Sequence, residues 1–451
     1  MHNRSLLILA VLVLGFGAFI WFFERHQPTT DEVQRHSEKL FGNLEMNEVQ
    51  TFELTNAGGT FSFERTSSGW LMLQPVRTDA DSPAVDRLLN ALIDLKADRR
   101  MGPDEVDPAS YQLDNPAYMI KLVEQNGGTN TLKIGSETAL GSKRAVMLDG
   151  PEIILTTGGF AASLDKKLDD WRSRSLAEVF LNDLASIEIL SGTDRIQAVN
   201  LNEGWRLLAP VEDLADEELL RNITTDLNAI RIEEFLDGTT ADEGLDLSPA
   251  RIKVTLLPTD GSESTTLEFG SVREIEGTEH VACRRNHKDI FWVTNRAEIG
   301  LAKAPVRWRE PKVLPFETWN VHRLEIAAAD DNVLLSRSDG LWRLSNGAEI
   351  DSSAVQERLS KVAEMKATNF DLMNLARPEI GRVILHLGQP GRTGESQLVF
   401  VFSEPLGEGG DVLVKVTGRD IVMTAAPEDV AAVLGHLEEL QSVEAEPAPE
   451  E

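Results

Sequence analysis

The sequence predicts an α+β protein, with an N-terminal transmembrane helix followed by three tandem repeats of an antiparallel-sheet module with two helices each. Two observations predict this architecture. A tryptophan segment occurs three times, since Trp70, Trp205 and Trp342 lie 135 and 137 positions apart with similar neighbours. A long uncharged apolar run precedes the repeats, which is typical of a membrane span.

The predicted boundaries divide the whole chain. We assign a membrane anchor to residues 1–26, a connector to 27–43, repeat modules to 44–176, 177–314 and 315–442, and an acidic disordered tail to 443–451. A chain of 451 residues suits about three domains of roughly 100–150 residues each, which agrees with three modules of this size.

The anchor is the first element. The run from Leu6 to Phe23 holds 18 residues without a charge, and as a helix it would span about 27 Å, close to the roughly 30 Å of bilayer hydrocarbon. A cleaved signal peptide is the alternative, but it has a shorter apolar region and a small-residue cleavage site that is missing here. Arg4 favours a cytoplasmic N-terminus. The sequence therefore predicts a single-pass protein of the bacterial inner membrane, with its C-terminal bulk in the periplasm.

The first half of each module is predicted to contain two strands and a helix. The opening strand alternates apolar and polar residues, with Phe52, Ile187 and Leu324 in equivalent positions. The second strand ends in the tryptophan segment. An amphipathic helix follows, and its apolar face must cover a sheet. Its N-caps are predicted at Ser82, Asp216 and either Ser352 or Ser353.

The second half is predicted to contain four strands and a closing helix. A proline starts an extended segment in each copy. In the first two copies, Gly135 and Gly270 are predicted to end the strand after that. The closing helix ends in Trp171-Arg172 and Trp308-Arg309, and the third copy lacks this ending. Short connections favour an antiparallel sheet with helices on one face.

Composition bears on the class of function. The formal net charge of −30 disfavours nucleic-acid binding, which needs a basic face, and adsorption on anionic lipid. The single cysteine, Cys283, excludes an intrachain disulfide. We interpret the charge as a determinant of solubility, with a basic partner or a divalent-ion-rich environment as the alternative.

The repeated aromatic residues are the first candidates for a binding role. Trp70, Trp205 and Trp342 could line a ligand groove, but aromatic side chains dominate cores, and we interpret them as core residues. The Trp171-Arg172 and Trp308-Arg309 pairs could form cation–π or carboxylate clamps between modules. The sequence favours an ordinary surface arginine beside a buried ring.

Titratable residues give little sign of chemistry. His280, Cys283 and His287 have ligand types that bind zinc, but residues 280 and 283 would lie on opposite faces of a strand, and a fourth ligand is not evident. The pairs Asp104-Glu105 and Asp330-Asp331 look like acidic turn residues. The common hydrolase, metalloprotease and phosphate-loop motifs are absent from the sequence. We therefore predict no catalytic, cofactor-binding or metal-binding residues and no cofactor.

A family resemblance rests on the amphipathic helix, the turn Leu113-Asp114-Asn115-Pro116 and the strand ends Leu132–Gly135 and Leu267–Gly270. These features resemble the domain of unknown function 4340 over about residues 44–440, with the third copy departing most. The resemblance implies membrane anchoring and an association with gliding-motility-type ABC transporter auxiliary components. It supplies no catalytic residues.

The function that we expect is that of a non-enzymatic, membrane-anchored extracytoplasmic protein, an accessory or scaffold subunit of an ABC-type transporter or cell-envelope complex. Its expected partners are the membrane, through the anchor, and a transporter permease or another envelope protein. Repeated modules without a catalytic motif suit a docking surface, which gains from multivalency. Two alternatives stay open: a ligand-binding protein of the envelope with a site between modules or in one sheet, and an envelope hydrolase.

Overall fold

The computed structural model describes residues 39–67, 69–138, 143–157, 160–201, 204–239, 244–294, 300–328, 331–370, 377–388 and 396–440. The predicted anchor (residues 1–26), most of the predicted connector and the predicted tail (443–451) lie outside the described residues.

The described residues form three nine-stranded antiparallel sheets, one in each repeat. Module 1 contains β1 (Val49–Asn56), β2 (Gly59–Thr66), β3 (Gly69–Gln74), β4 (Thr78–Asp79), β5 (Arg99–Met101), β6 (Tyr118–Glu124), β7 (Thr129–Glu137), β8 (Lys143–Leu148) and β9 (Ile153–Thr157). Module 2 contains β10 (Leu184–Ser191), β11 (Asp194–Leu201), β12 (Gly204–Ala209), β13 (Asp213–Leu214), β14 (Ile232–Phe235), β15 (Ile252–Pro258), β16 (Thr265–Ile275), β17 (Thr278–Arg285) and β18 (Asp289–Thr294). Module 3 contains β19 (Val321–Ala328), β20 (Asp331–Ser338), β21 (Leu341–Leu344), β22 (Glu349–Ile350), β23 (Ala367–Asn369), β24 (Glu379–Leu387), β25 (Ser396–Ser403), β26 (Val412–Val416) and β27 (Arg419–Ala425).

The strand order is the same in all three sheets. In module 1 it is β4-β3-β2-β1-β6-β7-β8-β9-β5, and modules 2 and 3 repeat it with their own strands. The opening strand therefore lies inside the sheet and pairs on both sides. Its equivalent apolar residues Phe52, Ile187 and Leu324 are buried in the three separate cores, as the sequence predicted.

One long helix covers each sheet. The helices are α1 (Ser82–Ile93) in module 1, α3 (Glu217–Ala229) in module 2 and α4 (Ser352–Glu364) in module 3. Each helix connects the two edge strands of its sheet, such as β4 and β5, so its apolar face packs across the sheet between them. This arrangement buries the predicted helix face in each core.

The helix caps correct part of the prediction. Asp216 caps α3 by accepting a hydrogen bond from the backbone N–H of Leu219 at 2.8 Å, as predicted. In the other two modules the cap is also an aspartate, Asp81 or Asp351, and the predicted serines are helical residues. Pro83 lies in the first turn of α1, among the helix positions whose N–H has no partner within the helix.

The prediction of two helices in each module is wrong. The closing segment of module 1 forms only a four-residue helix, α2 (Leu168–Trp171), and in module 2 it ends in a 3-10 helix, Pro305–Trp308. Pro305 begins this turn, and a helix from upstream cannot run through it because proline lacks the N–H that such a helix needs. Only module 3 has a longer closing helix among the described residues, α5 (Pro427–Leu434). The fold is mostly antiparallel sheet.

The strand count also exceeds the prediction. The tryptophans lie on the third strand of each module, not at the end of the second, because the chain reverses direction just before them. In modules 1 and 2 the reversal uses a glycine with positive φ, Gly69 at 137° and Gly204 at 110°. Two short edge strands flank the long helix in each module, and alternation over two to four residues is too brief to predict.

Among the helices of the described residues, none has the length and apolar character needed to cross a membrane. This finding stands against the transmembrane helix in the predicted fold class and against the predicted single-pass location in the inner membrane. The segment to which the span was assigned, Leu6 to Phe23, lies outside the described residues.

The chain forms two compact units, residues 1–174 and 175–451. Module 1 belongs to the first unit, and modules 2 and 3 together form the second. The three repeats therefore do not form three equally separate compact units.

The loop between β5 and β6 packs on the second face of the module 1 sheet. Met101, Leu113, Ala145 and Ile153 form a small cluster there, on the side away from α1. Gly135 does not end its strand as predicted, since β7 runs to Glu137 past an irregularity in register. A Cβ atom at residue 135 would lie 2.1 Å from the backbone oxygen of Tyr111, so glycine lets the loop approach the sheet. Gly270 has the same role in module 2, where a Cβ would lie 1.9 Å from the oxygen of Leu245.

We predict that Gly135→Ala destabilises module 1 by about 1–3 kcal/mol or more, because the loop must move away from the sheet to admit a methyl group. Urea unfolding of the full chain measures the loss. Gly150→Ala is the control, since a Cβ at residue 150 would lie 3.8 Å from its nearest neighbour, the backbone oxygen of Leu148, and residue 150 has no positive φ. Equal stability of the two variants would contradict the role of Gly135.

Candidate functional site at the junction of the second and third modules

The contact between modules 2 and 3, which we call the junction, centres on a buried aspartate. Asp213 begins the edge strand β13 of module 2, and its side chain is fully buried. Its carboxylate accepts hydrogen bonds from Arg419 Nε at 2.6 Å, Arg419 Nη2 at 2.9 Å and Arg309 Nε at 2.6 Å. The backbone N–H of Leu214 donates a further hydrogen bond at 2.8 Å. We call Asp213, Arg309 and Arg419 the junction triad.

Arg419 connects module 3 to this carboxylate. It is the first residue of β27, and its side chain is fully buried. Besides its two bonds to Asp213, Nη1 donates to the carbonyl oxygens of Lys312 and Val313 at 2.5 and 3.0 Å, and Nη2 donates to that of Glu310 at 2.9 Å. All five N–H groups of the guanidinium are therefore satisfied.

Arg309 contributes from the chain that joins the modules. It follows Trp308, whose ring is 1% exposed in the module 2 core, and it is itself only 4% exposed. The prediction of a surface arginine at this place is wrong, and the carboxylate clamp that the sequence left as the alternative is present at Arg309. Arg172, after Trp171 in module 1, is also buried, and its Nη1 lies 3.6 Å from an Asp169 oxygen.

The connecting segment holds the two modules by backbone pairing as well. The N–H of Glu310 donates to Leu214 of module 2 at 3.0 Å. The next residues pair with module 3, where the N–H of Val313 donates to Met365 and the oxygen of Pro311 accepts from Ala367, both at 2.8 Å. Arg419 also donates hydrogen bonds to the backbone carbonyl oxygens of this segment.

The aromatic ring of Phe370 packs against the two arginines of the junction. Phe370 follows β23 of module 3, and the guanidinium carbons of Arg309 and Arg419 lie 4.5 and 5.4 Å from its ring centre. Cations over an aromatic face are attracted by the ring quadrupole, most strongly where water is excluded. The ring therefore favours the excess positive charge of two arginines beside one aspartate.

The surroundings of Asp213 and Glu310 shift the pKa values of their carboxyl groups in opposite directions. Burial would raise the pKa of Asp213, but the hydrogen bonds and charges of Arg419 and then Arg309 outweigh it and hold the pKa below its ordinary value. Burial raises the pKa of Glu310, and the N–H of Lys312 and the charge of Arg419 only partly oppose this rise. Asp213 is thus an ionised carboxylate whose acceptor positions are occupied. It serves as a structural lock between the modules.

The candidate metal ligands of the sequence are separated by the structure. Cys283 is fully buried in the module 2 core, where burial raises its thiol pKa. His280 lies on the opposite face of β17, as predicted, and its Nδ1 is 2.9 Å from the oxygen of Thr278. His287 is in the following turn, with Nδ1 3.1 Å from a Glu268 oxygen. Among the residues that the structure describes, no group of three His, Cys, Asp or Glu side chains could hold a metal ion.

The other residues that the sequence singled out have structural positions. Trp70, Trp205 and Trp342 are 3–5% exposed, so their interpretation as core residues is confirmed. Glu105 accepts a hydrogen bond from the N–H of Gly102 in a turn, in keeping with a turn acid. Asp331 instead begins β20, and Asp330 lies outside the described residues.

Sequence reasoning missed Asp213 and Arg419, although one signal was available. Register places Thr78 of module 1 and Ala348 of module 3 in the position of Asp213, two small or neutral residues where module 2 has a charge. A charged residue in only one of three copies, at a position next to buried strands, marks a contact that this copy alone makes.

The chain matches a known protein family. Residues 70–248 and 241–378 match the sequence model of the family described as "Domain of unknown function (DUF4340)". Together the two segments span more than half of the chain. No curated protein matches the chain.

We predict that Arg419→Met destabilises the unit of modules 2 and 3 by about 3–5 kcal/mol, because Asp213 then loses two of its charged donors while it stays buried. Urea unfolding and amide hydrogen exchange measure the loss. Arg195→Met is the control, since Arg195 makes an equally short 2.6 Å ion pair with Glu188 but is 55% exposed. Such exposed pairs contribute less than about 1 kcal/mol. Similar losses in both variants would contradict the lock.

We predict opposite pH effects for the two carboxyl groups of the junction. The lowered pKa of Asp213 means that its contribution to stability is present above its unfolded pKa and is lost as the pH falls below about 4. The free energy of unfolding of Asp213→Asn should therefore fall less than that of the native chain as the pH is lowered.

The raised pKa of Glu310 means that its contribution to stability is present below its unfolded pKa and is lost as the pH rises above about 4–5. Glu310→Gln should therefore stabilise the protein at pH 7 and have little effect at pH 3. Unfolding free energies measured from pH 3 to 7 test both signs.

Proposed function

From the premise that the chain belongs to the DUF4340 family, we propose that it is a non-enzymatic scaffold or accessory subunit that binds a protein partner through its modules. An ABC-type transporter or a cell-envelope complex is the kind of assembly that we propose. The observation that carries the proposal is the junction triad with its connecting segment. It makes modules 2 and 3 one unit, so surfaces on the two modules keep a fixed spacing.

Exposed aromatic side chains supply candidate contacts on this unit. Phe180, before the first strand of module 2, is 68% exposed, and Trp319, before the first strand of module 3, is 71% exposed. Both belong to the short turn that opens a module. Phenylalanine and tryptophan are enriched at protein interfaces, and tryptophan often dominates binding energy. Two such contacts on one unit bind a partner more strongly than either alone.

A specific observation also favours the ligand-binding alternative. The outer face of module 3, away from α4, has a groove of about 620 Å³ lined by β19, β20, β24 and the turn after β21. Glu325 on its wall lies 2.8 Å from Arg323 Nη2 and 3.0 Å from His386 Nε2. This volume is in the range of small-molecule sites. Thermal shifts with envelope sugars and lipids distinguish the two functions, since a ligand of the folded state raises the melting temperature.

We predict that Phe180→Ser and Trp319→Ser each weaken partner recovery and together abolish it, with little change in thermal stability. Co-purification of the full chain from its native cells, followed by mass spectrometry, measures recovery. Leu406→Ser is the matched control, because Leu406 is a 40% exposed apolar residue outside the module-opening turns. Equal recovery with the double variant and the native chain would contradict this role for the two aromatics.

A further inference from the structure

The groove on the outer face of module 3 has an apolar floor that the other two modules lack at this place. Register aligns four residues in a row across the middle of each sheet, and every row contains a glutamate of the opening strand. The rows are Ser62, Glu53, Lys121 and Thr131 in module 1; Gln197, Glu188, Thr255 and Thr266 in module 2; and Leu334, Glu325, Ile384 and Val399 in module 3. The glutamate is therefore common to the three modules, and its aliphatic neighbours are specific to module 3.

Module 2 fills the equivalent place with its own arginine. Arg195 on β11 and Asn332 on β20 hold equivalent positions in register. The Nε of Arg195 lies 2.6 Å from Oε1 of Glu188, the counterpart of Glu325. Asn332 and Glu325 both line the groove of module 3. The arginine of module 2 therefore runs between two positions whose counterparts border the groove, where module 3 has an asparagine.

Glu325 has one carboxylate oxygen that the described part of the chain does not use. Arg323 Nη2 at 2.8 Å and His386 Nε2 at 3.0 Å both contact Oε1. No hydrogen bond from the described residues reaches Oε2. The other charged residue that lines the groove, Arg382, donates to both oxygens of Glu379 at 2.6 and 2.8 Å. Arg382 therefore has a carboxylate of its own, whereas Glu325 has an acceptor left for a ligand.

The contact of Arg195 indicates the chemistry of the ligand. A guanidinium donates a charge-assisted hydrogen bond to a carboxylate, and its aliphatic stem packs against apolar surface. Leu334 and Ile384 supply such a surface beside Glu325. The groove volume of about 620 Å³ is in the range of small-molecule sites. The net charge of −30 also attracts cations to the protein.

We propose that the module 3 groove binds a small molecule that carries a guanidinium or ammonium group on an aliphatic chain. The cation donates to Oε2 of Glu325, and the aliphatic chain lies on Leu334 and Ile384. This inference rests on the ligand-binding alternative proposed above for the groove, and it specifies the class of ligand.

The test titrates the full chain with n-butylguanidinium and measures the heat of binding. We expect saturable binding that is at least about fivefold weaker with Glu325→Gln, because the charge-assisted hydrogen bond is lost. Glu188→Gln is the matched control, since Glu188 is 30% exposed against 31% for Glu325 but already pairs with Arg195, and it leaves binding unchanged. The uncharged analogue n-butylurea should bind the native chain as weakly as n-butylguanidinium binds Glu325→Gln.

A second variant fills the groove. Asn332→Arg gives module 3 the arginine of module 2, which should pair with Glu325 and abolish the binding of n-butylguanidinium. Residue 332 is exposed, so we expect the melting temperature without ligand to stay the same.

Three results would overturn the proposal. One is no binding of n-butylguanidinium, and another is equal binding to the native chain and to Glu325→Gln or Asn332→Arg. The third is a melting temperature that rises with sugars or lipids but not with n-butylguanidinium, since the groove would then be a ligand site for another class of molecule. Recovery of a protein partner through Phe180 and Trp319 does not involve this groove, so a failure here is distinguishable from a failure of the scaffold function.

Discussion

A single buried carboxylate, Asp213, holds the second unit of this protein together. Removing a carboxylate from water is costly, and the cost is offset here because two guanidinium groups and a backbone N–H surround it. Arg419 reaches it from module 3, and Arg309 reaches it from the connecting chain. Such a network contributes less net stability than its number of hydrogen bonds suggests, but breaking it leaves a buried unpaired charge. The network therefore specifies how two modules associate.

The rest of the unit follows from this constraint. Arg419 donates two of its N–H groups to Asp213, and the other three donate to carbonyl oxygens of the connecting segment. That segment pairs with the edge of module 2 on one side and with the residues around β23 of module 3 on the other. Sheet edges otherwise expose unpaired backbone groups. In module 2 the connecting segment covers one such edge, and the same segment leads into module 3.

Repetition also shows which differences matter. The helix cap is an aspartate in all three modules, and in each its side chain accepts a hydrogen bond from a backbone N–H of the first helical turn. The position of Asp213 is a threonine in module 1 and an alanine in module 3. Similar positions therefore build the module, and the dissimilar ones determine what each module contacts.

The sequence by itself determined the repeat, the buried tryptophans, the opening strands and the long amphipathic helix. These features depend on the alternation and spacing of apolar residues along a short stretch, which burial imposes locally. It also separated His280 from Cys283, because two residues three apart on a strand face opposite ways. The closing helices were predicted wrongly, since apolar spacing alone did not show that a helix could not run through Pro305. Only the tertiary structure decided the strand order, the role of Gly135 and the junction triad. Asp213 and Arg419 are 206 residues apart, and no local pattern relates them. Their contact exists because two sheets, each folded from its own core, bring an edge strand of one module beside a strand of the next.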